Sequence, residues 1–80
     1  MNTFDRVKQV LVDRLDGISE EEDVTEDASL ENVLMVDSLD RINICMGLED
    51  EFIIDIYDTD MENVKTVGDI VKLVDEKRDA

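Results

Sequence analysis

The stretch Val36-Asp37-Ser38-Leu39-Asp40-Arg41-Ile42-Asn43-Ile44-Cys45-Met46-Gly47-Leu48-Glu49-Asp50-Glu51-Phe52 decides the fold. Its apolar residues recur at helical spacing and predict a helix from Ser38 to about Phe52. At roughly 100° per residue, Ile44, Cys45, Leu48 and Phe52 fall within one arc about 100° wide. Leu39, Ile42 and Met46 form a second stripe, roughly opposite. Glu49 borders that stripe on one side, and Asn43 and Asp50 border it on the other. A helix in a small bundle needs only one buried face. The second stripe is therefore either sandwiched as well, or left exposed among acids as a protein-docking site. Both readings stand at this point. Arg41 points toward the first arc, and its long stem is expected to carry the charge out at the helix end.

Outward from this helix, Phe4, Val7, Leu11 and Leu15, with Val10 beside them, predict a first helix that ends at Asp16-Gly17. Gly17 there can take the left-handed conformation. Val67, Ile70, Val71 and Val74 predict a last helix. Thr66 is its N-cap and Asp69, three residues on, makes a near capping box. A short helix fits between Asp58 and Val64. A long acidic connection from about Ile18 to Asp37 has Ile18, Val24, Ala28, Leu30 and Leu34 as anchors, and structureless connections of that length are often functional. The expected fold is all-α: a small four-helix bundle with a long loop between helices 1 and 2 and a short third helix. With 80 residues, no proline, no repeat and no low-complexity linker, residues 1–80 read as a single domain. So short a chain buries only about 60% of its unfolded surface, so its stability is expected to be marginal.

The formal charge is −15, and its placement says more than its size. From Asp16 to Glu62 there are 17 acids and one base, Arg41, whereas the flanks hold six acids and seven bases. Near-neutral ends thus frame an intensely acidic middle. Such a field repels nucleic acid and anionic membrane and steers basic protein surfaces inward. Crowding of like charge also predicts carboxylates with raised pKa values. No stretch approaches the roughly 18 apolar residues of a membrane span, so no membrane insertion is expected. The lone Cys45 cannot form an internal disulfide. Together these features read as a cytoplasmic protein, expected to be monomeric.

Catalysis finds little support. With no histidine there is no imidazole base, and Cys45 sits mid-helix on the arc expected to face the core. Nothing suggests a dry cleft that would set one carboxylate's pKa apart from another's. Asp58, Asp60 and Glu62 mimic the first ligands of an EF-hand loop. The match fails at Asn63, where the sharp turn needs glycine, and at Asp69, where a bidentate Glu is needed. No metal site is expected.

The residues around Ser38 carry a more specific signal. Val36-Asp37-Ser38-Leu39-Asp40 resembles the Asp-Ser-Leu signature of acyl carrier proteins. Leu48-Glu49-Asp50-Glu51-Phe52 is similar to that family's Leu-Glu-Glu-Glu-Phe run. Val24-Thr25 and Ala28-Ser29-Leu30 resemble the loop before the motif, and Thr66-Val67-Gly68-Asp69-Ile70 the start of the last helix. The likeness spans nearly the whole chain. It implies that Ser38 carries a covalent 4′-phosphopantetheine arm, added by a phosphopantetheinyl transferase. The arm's thiol would hold acyl groups as thioesters and shuttle them between basic-surfaced acyl-transfer enzymes of fatty-acid, related lipid or polyketide synthesis. The local physics is compatible, because a helix N-terminus favours phosphate. Partners would meet Asp37, Asp40, Glu49 and Asp50, with Leu39, Ile42 and Met46 as apolar contact. By position in the family, Asp60, Met61 and Glu62 would extend that surface. Cargo is expected to enter the bundle among Leu34, Ile44, Leu48, Phe52, Ile70 and Val71.

Some positions leave the family pattern. Met35 stands where glycine is usual, Asn43 where an acid is usual and Tyr57 where proline is common; the loop near Glu20 to Asp23 is longer by about two residues. Met35 implies a different loop path, or none of the strain that glycine relieves. These departures keep open a carrier for an aminoacyl or dedicated lipid pathway. The rivals from other classes are an acidic adaptor and a divalent-ion-binding protein, neither with a prosthetic group.

Overall fold

The computed structural model of the protein describes residues 2–15 and 24–79. They form four helices: α1 (Thr3–Arg14), α2 (Ser38–Phe52), α3 (Asp58–Met61) and α4 (Val67–Asp79). The described residues contain no strand, only an isolated antiparallel bridge between Ser29 and Thr66. The all-α bundle with a short third helix is therefore as expected.

α1 begins where the Asn2 side chain accepts the Asp5 amide at 2.8 Å. It ends at Arg14, earlier than the predicted Asp16-Gly17, because Leu15 turns extended while its amide still reaches the Leu11 carbonyl. Gly17, Ile18 and the Glu20 to Asp23 insertion lie outside the described residues. Val7, Val10, Leu11 and Leu15 bury the inner face of α1, which packs on α2 and α4. The α1–α2 approach depends on Gly47. A β-carbon there would lie 2.8 Å from Val10 Cγ1 and 3.0 Å from Arg14 Nε. At the far end of α2, the Arg6 guanidinium lies 4.4 Å from the centre of the Phe52 ring and also donates to the Glu51 carbonyl at 2.9 Å. Cation and ring attract each other through the ring quadrupole.

The described part of the long connection is pinned rather than structureless. The Leu30 amide donates to Lys65, Val67 to Ala28 and Gly68 to Glu26, at 2.9, 3.1 and 2.7 Å. Val24, Ala28, Leu30 and Val36 are buried, and Leu34 is half-buried. Buried backbone groups must find partners, and here residues 26–30 and 65–68 satisfy each other. The same junction starts α4. Thr66 Oγ1 accepts the Asp69 amide at 3.2 Å, and Asp69 Oδ2 accepts the amides of Lys65 and Thr66 at 3.0 and 3.1 Å, so the predicted cap is present.

Met35 corrects the sequence reading. Its φ is 57°, so the backbone takes the left-handed path that glycine would take, and Met35 bears the strain. The amides of Leu34 and Val36, bound to the carbonyls of Ser29 and Leu30, fix that path on either side. Ile53, at φ 55°, closes α2 in the same conformation, with its amide on the Glu49 carbonyl.

Candidate functional site

Ser38 is the first helical residue of α2, not its N-cap. The cap is Asp37, whose Oδ1 accepts the Asp40 amide at 2.9 Å. Asp40 Oδ2 returns the bond to the Asp37 amide at 3.2 Å, completing a capping box. The box frees the serine. Among the described residues the exposed Ser38 hydroxyl makes no hydrogen bond, and the amides of Ser38 and Leu39 have no protein partner. Those amides and the helix dipole favour negative charge at this end. No histidine exists to activate the hydroxyl.

Ser38 stands on the rim of a groove of about 370 Å³ between α2 and the segment that includes α3. Arg41, Ile42, Cys45, Met46 and Glu49 line it from α2, and Ile56, Asp58 and Met61 from the other side. Two α2 side chains grip the opposite wall. Glu49 Oε2 accepts the Ile56 amide at 3.1 Å. Arg41 donates from Nη1 to the Met61 carbonyl at 3.3 Å and from Nη2 to the Val64 carbonyl at 3.1 Å. Arg41 thereby satisfies carbonyls just where α3 ends, and α3 stops at Met61 rather than running to Val64. The cation does not escape to solvent at the helix end, as expected from sequence, but crosses to α3.

The other predicted site residues divide into three groups. Leu39, Ile42 and Met46 are 74%, 58% and 52% exposed, which decides the fate of the second stripe: it faces solvent. Asp37, Asp50 and Glu62 are exposed around it, and Asp40 is half-buried. Glu49 is half-buried on Ile56, and Asp60 is tied to Lys77 Nζ at 2.8 Å. Met61 must be corrected: it is only 6% exposed and belongs to the core, because α3 turns that side chain inward. Val33 and Met35, on the loop before α2, are exposed as well, which periodicity had no means of finding. Cys45 lines the groove instead of the sealed core. Burial pushes its thiol above the ordinary 9.0, Glu49, Asp58 and Asp60 adding and Arg41 opposing. Ile44, Leu48 and Ile70, expected to receive cargo, have no exposed surface; the opening beside Ser38 is lined by other residues.

Raised carboxylates were expected, but Asp60 and Asp69 shift downward. The Lys77 hydrogen bond leads for Asp60, and the Lys65 amide leads for Asp69. Specific donors outweigh desolvation at both. Asp58 and Asp60 lie in the first turn of α3 rather than in a metal-binding loop.

No helix among the described residues is long and apolar enough to cross a membrane. The family model described as the phosphopantetheine attachment site matches residues 5–74, which takes in α2 and α3 and most of α1 and α4. A match over so much of the chain carries the assignment: the protein belongs to this family, a carrier whose 4′-phosphopantetheine is bound covalently to a serine.

Proposed function

We propose that the protein is an acyl carrier in which Ser38 holds the arm, residues 1–80 act as one carrier unit, and the chain catalyses nothing itself. One observation carries this reading: an exposed, unbonded hydroxyl on the first turn of a long helix, at the rim of a largely apolar groove. Ser29, by contrast, is half-buried, accepts the Asn32 amide and sits in the bridge to Thr66. The residues around Ser38 suit a group joined through phosphate and ending in an apolar load. Free amides and Arg41 face the anion, and Ile42, Cys45, Met46, Ile56 and Met61 offer cover to the load. When bound, the group supplies a thiol for thioester exchange. Asp37 and Asp40 hold the first turn of α2 in place, while Leu39, Ile42, Met46, Val33 and Met35 give partners an apolar landing strip ringed by acids. Exposed ion pairs contribute little each, so docking on basic acyl-transfer enzymes is fast, weak and salt-sensitive. The setting is the cytoplasm, and the cargo serves fatty-acid, related lipid or polyketide synthesis.

The test is intact mass after incubation with coenzyme A and a broad-specificity phosphopantetheinyl transferase. The reading expects a gain of one arm that Ser38→Ala abolishes. A folded wild-type protein that gains nothing, or a gain that survives Ser38→Ala, overturns it.

A further inference from the structure

Arg41 is the only base between Asp16 and Glu62, yet among the described residues no carboxylate lies within ion-pair distance of it. Its donors rest on two neutral carbonyls instead, those of Met61 and Val64. A half-buried cation in so acidic a region, held without a counter-ion, is a charge in reserve. Its place on the helix says what it is reserved for. Arg41 lies three residues after Ser38, so the two side chains are neighbours on one face of α2, and both line the same groove. Long side chains in a helix sweep back over the turn N-terminal to their own Cα, which here is the turn of Ser38.

We propose that Arg41 is the counter-ion of the phosphodiester that joins the arm to Ser38, and that it leaves the Met61 and Val64 carbonyls to take that role. This deepens the reading of Ser38 as the attachment residue and rests on it. Guanidinium and phosphate match in a planar, two-bonded geometry, and such charge-assisted hydrogen bonds are roughly twice as strong as neutral ones. The need is acute. A phosphodiester on Ser38 adds negative charge beside Asp37, Asp40 and Asp58, and among the described residues Arg41 is the one cation lining the groove. The exchange has a structural consequence. Once Arg41 lets go, the Val64 carbonyl loses its side-chain donor and the Met61 carbonyl keeps only the Val64 amide, at 3.2 Å, so arm attachment loosens the wall of the groove opposite Ser38. Glu49 on the Ile56 amide and Lys77 on Asp60 still hold the start and body of that segment.

The experiment uses the full chain before and after arm attachment, the attachment being verified by intact mass. It follows the Arg41 Nε–H resonance, the phosphodiester ³¹P shift and hydrogen exchange at the Val64 amide, in wild type, Arg41→Lys and Arg41→Gln. Arm attachment is expected to move the Arg41 resonance and speed Val64 exchange several-fold in wild type. The ³¹P shift should differ between wild type and Arg41→Gln, with Arg41→Lys between them. In Arg41→Gln, Val64 should exchange fast from the start and gain nothing on attachment. An Arg41 resonance and Val64 exchange that ignore attachment overturn the proposal. So does a ³¹P shift that is the same in wild type and Arg41→Gln. If the variants fail to fold, the wild-type comparison alone decides. A mass that never increases overturns the reading of Ser38 and this proposal together; an increased mass with an unmoved Arg41 overturns this proposal alone.

Discussion

Replacing Asp37 by alanine tests how the chain holds its attachment serine. The carboxylate accepts the Asp40 amide at 2.9 Å, and the Asp37 amide is bound in turn by Asp40 at 3.2 Å. Loss of an N-cap acceptor typically costs about 1 kcal/mol. In a domain of this size each kcal/mol moves the midpoint by roughly 4–8 °C, so Asp37→Ala should melt about 4–8 °C below wild type. Asp37 is also one of many crowded acids, and removing its charge relieves repulsion. Asp37→Asn separates the two effects, because its amide oxygen still caps while the charge is gone. Asparagine caps about as well as aspartate, so Asp37→Asn should melt close to wild type. Thermal unfolding followed by circular dichroism gives the midpoints, and mass spectrometry the rate of arm attachment, which should fall in the alanine variant as the first turn of α2 frays. If Asp37→Ala melts with wild type, the capping box does not order that turn. If Asp37→Asn falls as far as alanine, charge and not capping holds it, and the reasoning fails.

Other perturbations probe separate parts of the account. Ile53 closes α2 at φ 55° with its side chain 85% exposed, so Ile53→Gly should raise the midpoint. Relief of about 1–2 kcal/mol of left-handed strain exceeds the entropy cost of glycine, and a lower midpoint by calorimetry would refute this. Asp69 titrates below its ordinary 3.8 when folded, so the unfolded chain takes up its proton first. The stability it gives is present above pH 3.8 and is lost as pH falls through the lowered folded value. Asp69→Asn should therefore flatten the acid limb of denaturant stability against pH, and an unchanged limb would count against it. Burial raises the Cys45 thiol above 9.0, so in Ser38→Ala the native thiol should alkylate more slowly at pH 8 than in denaturant. Equal rates under the two conditions would contradict the burial.

The bounds of α2 were legible because Ser38 to Phe52 carries its period in contiguous residues. The cap of α4 was legible for the same reason, since Thr66 and Asp69 are three residues apart. What escaped the sequence depends on distant partners. Met35 at a left-handed φ looked implausible for a residue with a β-carbon; the bonds of Leu34 and Val36 to Ser29 and Leu30 impose it. Met61 lies in a helix of four residues, too short for periodicity to show which side turns inward. Arg41 stands out as misplaced on an apolar arc, but its partners lie twenty and more residues away, at the end of α3 and just beyond it. The groove was missed altogether. Its walls belong to α2 and the segment from Ile56 to Met61, and only folding brings them together. The Asp37-Ser38-Leu39 motif was legible as a resemblance, but the division of labour within it was not: aspartate caps the helix, and serine is left free.

The most direct test of the central claim is peptide mapping of the protein purified from its native cell, where a competent transferase is present. A protease that cuts after arginine releases a peptide ending at Arg41 that contains Ser38. The account predicts the phosphopantetheine mass on that peptide, at Ser38. An unmodified Ser38, or an arm on Ser19 or Ser29, would contradict it.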